Sequence, residues 1–350
     1  MIRVALLGAG IGREHLAAYR RLPDAFHVAM IVDQDRTRAE NLRDTDNFVV
    51  APDVKTALEN PEIDIVDICL PPHLHVPVTL DALAAGKHVI CEKPFATSMS
   101  DVDKIRHAAA ENSKEVFPVF QYRWGPALAQ LRGLIAAGLA GKPQVAAIET
   151  HWSRGADYYA VPWRGTWAGE QGGAVLGHAI HNHDLMTHFM GPVAALSAMV
   201  ATRVNPIETE DCAAISFLMA NGALCTSSIT LGAATDETRI RLVFEKLTAT
   251  SASEPYAPGA GHWTFTARDA ADQPRVDALL VQLADEPVGF EGFLAAISDT
   301  LAGQESNAVT LDEGAASVEL VTAIYDAAHS GHRVHLPLAK THPLYEGWQP

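Results

Sequence analysis

One stretch near the N-terminus decides the fold: residues 2–16, with the sequence IRVALLGAGIGREHL. Its first six residues are mostly apolar and predict a β-strand, while Gly8, Gly10 and Gly12 predict a tight turn. Apolar residues then recur at helical spacing as far as Leu22, which predicts a helix. The stretch therefore predicts a strand, a glycine turn and a helix in succession.

This arrangement is typical of a dinucleotide-binding site. Glycines let the backbone approach a pyrophosphate closely, and the helix N-terminus offers unpaired N–H groups to the anion. A second predicted strand, residues 28–32, ends in Asp33, whose carboxylate can accept hydrogen bonds from ribose hydroxyls and would repel a 2′-phosphate. We therefore expect NAD in preference to NADP, with Arg36 and Arg38 partly offsetting that repulsion.

The glycine spacing departs from the common G-x-G-x-x-G pattern, because Gly12 arrives one residue early. A glycine pattern by itself also fits an ordinary strand-to-helix turn. The order of strand, glycines, helix, strand and terminal acid within about 33 residues favours the dinucleotide site.

Predicted strands and helices continue to alternate after this unit. The strands fall at residues 63–70, 88–92 and 117–121, and the helices at 76–85 and 98–112. Short connections between alternating elements require parallel pairing through right-handed crossovers. We predict an α/β protein with a doubly wound Rossmann domain for NAD(P) over residues 1–121 and a second domain over 122–350.

The predicted strand at 88–92 ends in a charged pair. Apolar residues lead directly into Glu92, Lys93 and Pro94. Ligands of open parallel sheets bind beyond the carboxyl ends of the strands, so Lys93 can point into a cleft. The alternative is a strand that ends in a solvated lysine and a turn proline.

Four segments together resemble the Gfo/Idh/MocA oxidoreductases: residues 8–12 (GAGIG), 71–75 (PPHLH), 85–94 (AGKHVICEKP) and 181–185 (HNHDL). The resemblance covers essentially the whole chain, and the third segment is its most specific part. It implies a Rossmann domain, a C-terminal α/β domain whose large, mostly antiparallel sheet packs against a partner subunit, and NAD(P)-dependent oxidation of a sugar, cyclitol or related alcohol. The cofactor contacts that it implies are Gly8, Gly10, Ile11, Gly12, Asp33, Leu70, Pro71, His75, Glu92, Lys93 and Gln121.

From residue 122 onward the pattern changes to successive strands with short turns, such as residues 220–222, which favours antiparallel pairing. Helices are predicted at residues 180–190, 289–302 and 312–328. A sheet with helices on one face leaves the other face to be covered, and a second copy commonly covers it. We expect a homo-dimer or homo-tetramer.

The chemical centre of the second domain is the glycine- and histidine-rich segment 172–184. Alcohol oxidation requires the hydroxyl proton to leave with the hydride, and histidine suits this work near neutral pH. The resemblance places the active-site histidine at His181, with Lys93 holding the reacting oxygen and sharing the proton transfer. Asp184 lies on the same helical side as His181 and would orient the imidazole or anchor the helix.

The chain departs from the family pattern beside His181. Many members carry an aspartate four positions before this histidine and a glycine two positions before it, where this chain has Gly177 and Ala179. A Lys-Asp-His triad is therefore incomplete, and His178 would fill part of the missing role. The alternative is that His181 is purely structural or binds substrate.

The histidine spacing also suggests a metal site formed by His178, His181 and His183. On a helix, however, His181 and His183 point about 200° apart, so both cannot be ligands of one ion. We expect no metal.

Residues 152–173 are rich in aromatic side chains and turn residues. Aromatic rings pack on the apolar faces of sugar rings, and arginine and carboxylate groups hydrogen-bond sugar hydroxyls. The alternative is a hydrophobic plug that packs against the first domain or a neighbouring subunit. The substrate contacts that we expect are Arg123, Tyr159, Trp163, Arg164, His178 and Asp184.

The chain has 26 basic and 42 acidic residues and a net charge of −16, which argues against nucleic acid and anionic membranes as partners. It contains no run of eighteen apolar residues, and no cleavable apolar segment precedes the first strand, so we expect a cytoplasmic protein. Its four cysteines lie far apart and are expected to be reduced core residues.

Three functions fit these features. The first is a sugar or polyol dehydrogenase. The second is a redox-neutral lyase or glycosidase that uses bound NAD as a transient hydride store, and the third is a non-catalytic sensor of sugar or cofactor. Lys93 and His181 favour the dehydrogenase, because a sensor has no need of an acid/base pair.

Overall fold

The predicted parallel sheet forms from six short strands. In the computed structural model, which describes residues 1–283 and 286–349, these strands are β1 (Ile2–Leu7), β2 (Phe26–Val32), β3 (Val49–Ala51), β4 (Ile65–Ile68), β5 (His88–Cys91) and β6 (Val116–Pro118). Their order across the sheet is β3-β2-β1-β4-β5-β6, and all neighbours are parallel. The order reverses between β1 and β4, so the predicted doubly wound Rossmann fold is confirmed.

Helices connect these strands: α1 (Gly12–Tyr19), α2 (Arg36–Glu40), α3 (Val54–Leu58), α4 (His75–Ala84) and α5 (Met99–Asn112). Polar caps set two of the helix starts, since Ser98 Oγ accepts the Asp101 N–H at 3.0 Å and Asp53 Oδ1 accepts the Thr56 N–H at 3.0 Å. The sequence analysis missed α2, α3 and β3. Elements of three to five residues are too short to show a hydrophobic period.

The central strands are buried on both faces, as parallel strands covered by helices must be. Leu6 on β1 is fully buried, and a side chain on Gly12 would place its Cβ 3.3 Å from Leu6. Glycine at the start of α1 therefore allows this helix to pack closely on the sheet.

The second sheet contains eight strands: β7 (Pro143–Ser153), β8 (Val193–Ala201), β9 (Cys212–Met219), β10 (Leu224–Thr230), β11 (Gly232–Phe244), β12 (Leu247–Thr250), β13 (Thr264–Ala267) and β14 (Val334–His335). Their order is β13-β12-β11-β7-β10-β9-β8-β14. Every neighbouring pair is antiparallel except β7 and β10, which are parallel. The predicted large, mostly antiparallel sheet is confirmed.

The remaining helices are α6 (Pro126–Ala136), α7 (Ala156–Tyr159), α8 (Trp167–Glu170), α9 (Ile180–Met190), α10 (Gln273–Gln282), α11 (Phe290–Leu301) and α12 (Leu311–Ser330). The helix α9 has the bounds that the sequence pattern predicted. Its side chains anchor it to the inner face of the second sheet: Asn182 Nδ2 donates to Thr150 Oγ1 at 2.7 Å, and His183 Nε2 lies 3.0 Å from Ser227 Oγ.

The chain divides into two units, of which the first comprises Met1–Phe120 and Phe290–Val318 and the second comprises Gln121–Gly289 and the chain from Glu319 onward. The first boundary lies one residue before the predicted end of the Rossmann domain, so Gln121 belongs to the second unit. The segment Phe290–Val318, expected in the second domain, groups with the first unit. The reason is that α11 packs against α1, where the rings of Phe290 and His15 lie 4.2 Å apart.

Three cysteines, Cys69, Cys91 and Cys225, are buried and Cys212 is partly exposed, all with free thiols. None of the helices in the described ranges combines the length and apolar character that a membrane crossing requires.

Candidate functional site

The glycine turn after β1 is shaped to receive a dinucleotide. Gly8 has φ of +98°, and a side chain there would place its Cβ 2.4 Å from the carbonyl oxygen of Cys69, so only glycine fits. At Gly10, by contrast, no described atom beyond the chain neighbours lies within 4 Å of the position that a Cβ would take. The turn is thus tightly held at Gly8 and open at Gly10, which fits the close approach of a pyrophosphate.

Asp33 stands at the end of β2, as predicted, and shapes the same turn. Its Oδ2 accepts the Ala9 N–H at 2.8 Å and its Oδ1 accepts the Asp35 N–H at 2.8 Å. Arg38 Nη1 lies 3.8 Å from Asp33 Oδ2, so a guanidinium stands beside this carboxylate. Ile11, another predicted cofactor residue of this turn, is 44% exposed. The Asp33 carboxylate and the glycine turn therefore share one hydrogen-bonded loop.

The segment after β4 contains Leu70, Pro71 and His75, which were predicted to contact the cofactor. His75 is buried, and its two ring nitrogens lie 2.7 Å from the carbonyl oxygens of Pro94 and Leu70. Burial lowers the pKa of His75. The ring ties the end of β4 to the turn after β5, and a cofactor contact of these three residues stays a prediction.

Lys93 follows β5 directly and is partly exposed. Its backbone N–H donates to Glu92 Oε2 at 3.0 Å. Because Lys93 follows the end of a parallel strand, it lies at the carboxyl edge of the sheet. The strand β5 neighbours β4, so Lys93 lies one strand away from the point where the strand order reverses. Ligands of doubly wound sheets bind at this edge.

A polar cluster that the sequence analysis missed lies beneath this edge. His15 Nδ1 lies 2.8 Å from Asp67 Oδ2, and His15 Nε2 lies 3.2 Å from Glu92 Oε1. Tyr19 donates its hydroxyl to Asp67 at 3.0 Å, and the Cys69 thiol lies 3.6 Å from the other oxygen of Asp67. The available signal was Asp67 itself, a charged residue inside the apolar strand β4.

In the second unit, His181 lies in the first turn of α9. Residues Val175–Ala179 before it form a π-helical turn, an irregularity that is frequent at functional sites. His181 is 4% exposed, and its ring stacks on that of Tyr122, with centroids 4.5 Å apart and planes 23° apart. The stacking fixes the plane of the imidazole.

Two predicted substrate residues, Arg123 and Asp184, pair with each other. Arg123 Nε lies 2.8 Å from Asp184 Oδ2, and its Nη2 lies 2.6 Å from Oδ1, with both side chains buried. This bidentate pair anchors α9 to the turn Gln121–Arg123. Contact of either side chain with substrate stays a prediction.

Glu210 clamps the start of the segment that carries the histidines. Its Oε1 accepts the Val175 N–H at 3.0 Å and the Tyr325 hydroxyl at 3.0 Å, and its Oε2 accepts the Gly173 N–H at 3.1 Å. Burial raises the pKa of Glu210 to about 7 although these donors oppose the shift. A side chain at Gly173 would place its Cβ 1.9 Å from the Glu210 carbonyl oxygen, so this close approach requires glycine.

The aromatic segment forms a cluster of rings and guanidinium groups. Arg164 lies 3.9 Å from the centroid of the Tyr158 ring and 5.3 Å from that of Trp163. The ring of predicted substrate residue His178 lies 5.7 Å from that of Tyr158, and Tyr159 packs edge-on against Tyr158 at 5.0 Å. Burial raises the pKa of Tyr158 to about 12, so its hydroxyl is protonated at neutral pH.

Glu170 brings a buried carboxylate to Gly177, the position where many members of the resembling family have aspartate. A Cβ on Gly177 would lie 3.9 Å from Glu170 Oε1. The other oxygen, Oε2, accepts the Gly165 N–H at 2.6 Å. The sequence did not indicate this approach, since Glu170 lies seven positions before Gly177 along an irregular segment.

The predicted site residues therefore fall into two groups. Lys93 and the predicted cofactor residues other than Gln121 belong to the first unit. Gln121, His181 and the predicted substrate residues belong to the second.

Comparison with known families decides what these two groups represent. Residues 2–120 match the model of the oxidoreductase family with the NAD-binding Rossmann fold, and residues 128–250 match the GFO/IDH/MocA C-terminal domain. The chain belongs to the GFO/IDH/MocA oxidoreductases. Its first unit is therefore an NAD-binding Rossmann domain of this family, and the predicted resemblance is confirmed.

Several known oxidoreductases are similar to this chain. The WlbA dehydrogenase from Chromobacterium violaceum, solved in complex with NADH and UDP-GlcNAcA, has a TM-score of 0.84 and 28% identity, covering 97% of this chain and 96% of that one. An uncharacterized oxidoreductase from Synechocystis is 29% identical over 65% of this chain. The levoglucosan dehydrogenase from Pseudarthrobacter phenanthrenivorans is 27% identical over 57% of this chain.

The sequence matches to these curated relatives span only part of their lengths. They cover 65% of the Synechocystis protein and 54% of the levoglucosan dehydrogenase.

Proposed function

We propose that the protein is an NAD-dependent dehydrogenase that oxidises a hydroxyl group of a sugar, sugar derivative or cyclitol. One observation carries the proposal: Lys93 lies at the carboxyl edge of the Rossmann sheet, one strand from the strand-order reversal, in a family of oxidoreductases. A lysine at that edge can act on a ligand bound beside the cofactor. Similarity to the WlbA and levoglucosan dehydrogenases supports a carbohydrate substrate.

The chain has residues that fit NAD. The open position at Gly10 and the N-terminus of α1 would receive the pyrophosphate, and Asp33 would accept hydrogen bonds from the ribose hydroxyls. When bound, the nicotinamide supplies a hydride acceptor for the alcohol carbon.

Lys93 and His181 would form the acid/base pair. The imidazole of His181 takes the hydroxyl proton as the carbon gives up its hydride, and the Lys93 ammonium donates a hydrogen bond to the same oxygen as it becomes a carbonyl. The stacked Tyr122 ring supports this role by holding the His181 plane in one orientation.

Residues of the aromatic segment would recognise the sugar. The ring faces and guanidinium groups around Tyr158, Trp163 and Arg164 offer both apolar area and hydrogen-bond donors, which is the combination that a polyhydroxylated ring requires. Tyr159 and His178 adjoin the same cluster.

The active form would be a homo-oligomer joined through the outer face of the second sheet. This face exposes Met199 by 72%, Leu224 by 58% and Val145 by 47%. The side chains between them are small. For example, Ala214 pairs with Met199 on one neighbouring strand and with Ser228 on the other. Charged residues lie on the same face at β7 and β11, namely Glu149, Arg239 and Arg241. The small and apolar part on β8, β9 and β10 is typical of a surface that a second copy covers.

The first test is to mix the purified protein with NAD or NADP and a panel of hexoses, pentoses, anhydrosugars, glycosides and cyclitols, and to follow reduced nicotinamide by absorbance. We expect reduction of NAD with one class of compound. Lys93→Ala and His181→Asn should each lower kcat by about 10²-fold or more, because a general acid or base contributes about that factor. Lys104→Ala, which removes an exposed lysine on α5, is the matched control and should retain full activity.

Two results would change the assignment. A Lys93→Ala variant that turns over at the rate of the original protein would contradict the acid/base role. NAD that survives purification, with substrate turnover but no net reduction, would instead identify the redox-neutral lyase or glycosidase.

A further inference from the structure

The buried cluster beneath the carboxyl edge of the Rossmann sheet has a specific charge arrangement. His15 lies between two carboxylates, with Nδ1 2.8 Å from Asp67 and Nε2 3.2 Å from Glu92. His15 and Asp67 are fully buried, and Glu92 is 6% exposed. Carboxylates accept hydrogen bonds and do not donate them, so an imidazolium with two N–H groups satisfies both contacts. Burial opposes this charge, but the Asp67 carboxylate raises the pKa of His15 well above its usual value.

The cluster connects the glycine turn to Lys93 through two hydrogen bonds. His15 lies on α1, three residues after Gly12, and contacts Glu92 Oε1. The other carboxylate oxygen of Glu92 accepts the backbone N–H of Lys93. The helix whose N-terminus faces the proposed pyrophosphate position is therefore linked to the backbone of the proposed acid/base residue.

We propose that His15 is a positioning residue for Lys93: through Glu92 it holds the backbone at Lys93 and balances the carboxylate charge that lies beside the lysine. The proposal rests on the proposed function for the role of Lys93 in catalysis. The connection between His15 and Lys93 itself rests on the hydrogen bonds alone.

Titratable groups face His15 from several packed elements. Asp67 and Cys69 face His15 from β4 and the residues after it, Glu92 faces it from the end of β5, and Tyr19 lies on the same helix. From α11 the uncharged ring of Phe290 lies 4.2 Å from the His15 ring. The His15 imidazolium therefore lies between two carboxylates, and its loss removes one positive charge from their surroundings.

Two other functions of the cluster predict different behaviour. His15, Asp67 and Cys69 have ligand atoms within 4.8 Å of one another, which would suit a metal ion. However, both ring nitrogens of His15 face carboxylate oxygens, and a protonated imidazole does not bind a metal. A purely structural cluster would affect stability and leave Lys93 unchanged.

The test measures the protonation of Lys93 directly. Reductive methylation with ¹³C-formaldehyde labels lysines, and the ¹³C shift of the dimethylated Lys93 is followed against pH, with the signal assigned by its loss in Lys93→Arg. His15→Gln removes the positive charge beside Glu92, so we expect Lys93 to hold its proton to a pH at least about half a unit higher. Glu92→Gln removes that charge and should shift the Lys93 titration by a similar amount in the opposite direction.

Tyr19→Phe is the matched control, because it removes one hydrogen bond to Asp67 and no charge. Tyr19→Phe should leave the Lys93 titration at its original position. In His15→Gln, kcat/KM should fall about 10-fold or more, and the pH dependence of kcat/KM should shift in the same direction as the Lys93 titration. Glu92→Gln keeps a carbonyl oxygen for the Lys93 N–H, so it provides a second reading if His15→Gln does not fold.

Opposite shifts of the Lys93 titration in His15→Gln and Glu92→Gln would support the proposal. Folded variants that lose stability but keep the original Lys93 titration would overturn it. A protein that oxidises no alcohol but still shows the opposite shifts would contradict the proposed function and support the His15 connection, so the two failures are distinguishable.

Discussion

At the residue scale, Asp33 has a structural role, and we propose that it also selects the cofactor. It holds the glycine turn through the Ala9 N–H, and the Arg38 guanidinium stands 3.8 Å from the same carboxylate oxygen. A carboxylate at this position accepts hydrogen bonds from ribose and repels a phosphate there. The adjacent arginine is a ready phosphate ligand once that repulsion is removed.

We expect Asp33→Ser to raise kcat/KM for NADP about 10-fold and to lower that for NAD by a similar factor, each corresponding to about 1.4 kcal/mol. Serine can still accept the Ala9 N–H, so the turn should persist. Steady-state kinetics with both cofactors measures the change, and Asp24→Ser, which replaces an exposed aspartate elsewhere in the Rossmann unit, is the control. If the ratio of kcat/KM for NADP to that for NAD stayed unchanged in Asp33→Ser, the carboxylate would not select the cofactor.

Glu170 is a second residue whose role depends on where the fold places its side chain. Its carboxylate is buried and approaches Gly177, which adjoins His178. An acid at this point can supply the negative charge that an aspartate at position 177 would bring.

We expect Glu170→Gln to lower kcat roughly 10-fold or more while the thermal midpoint changes little, because the amide oxygen can still accept the Gly165 N–H. Glu208→Gln removes an exposed carboxylate from the same unit and serves as the control. Equal kcat values in the two variants would remove Glu170 from the mechanism.

At the element scale, the segment from the π-helical turn into α9 is held at its start by Glu210 and along its length by the second sheet. Glu210 accepts hydrogen bonds from the backbone N–H groups of Gly173 and Val175, which lie at the start of this segment. Asn182 and His183 contact side chains of the second sheet and so hold one face of α9 against that sheet. His181 therefore stands on an element that is fixed at its beginning and on one face.

Stability should respond to pH through Glu210, because burial raises its pKa to about 7 from the ordinary 4.5. A carboxyl group with a raised pKa in the folded state stabilises the fold fully below pH 4.5 and loses that contribution as pH rises through 7. The shift corresponds to roughly 3 kcal/mol at most. Thermal unfolding between pH 5 and 8 should show a larger stability loss with rising pH in the original protein than in Glu210→Gln, and parallel curves would contradict this.

At the scale of the whole molecule, the outer face of the second sheet is the largest feature without an assigned role in the chemistry. Its exposed residues alternate with buried ones along β7, β9 and β10, so a single face carries all of them. Met199 and Leu224 are the largest exposed apolar side chains on it.

We expect Met199→Asp to weaken the proposed homo-oligomer at least about 10-fold, because it places a charge beside Ala214 in the small and apolar part of this face. Sedimentation velocity over a concentration series measures the association. Val281→Asp on α10 adds the same charge at an exposed position outside the sheet and should leave the assembly unchanged. A monomeric original protein, or equal association of both variants, would contradict the predicted interface.

The sequence by itself determined the architecture of the Rossmann unit and the position of its cofactor turn. The strand periodicity, Gly8, Asp33 and the charged end at Lys93 are local signals, because a strand, a turn and a strand end each depend on neighbouring residues. For the same reason the bounds of α9 were predicted correctly. The succession of strands with short turns likewise indicated the antiparallel character of the second sheet.

Only the tertiary structure decided which distant side chains meet. The Arg123–Asp184 pair, the approach of Glu170 to Gly177, and the cluster of His15 with Asp67 and Glu92 join positions that are 7 to 77 residues apart. The grouping of Phe290–Val318 with the first unit has the same origin, since α11 packs against a helix at the opposite end of the chain. Such contacts depend on strand order and helix packing, and no local periodicity records them.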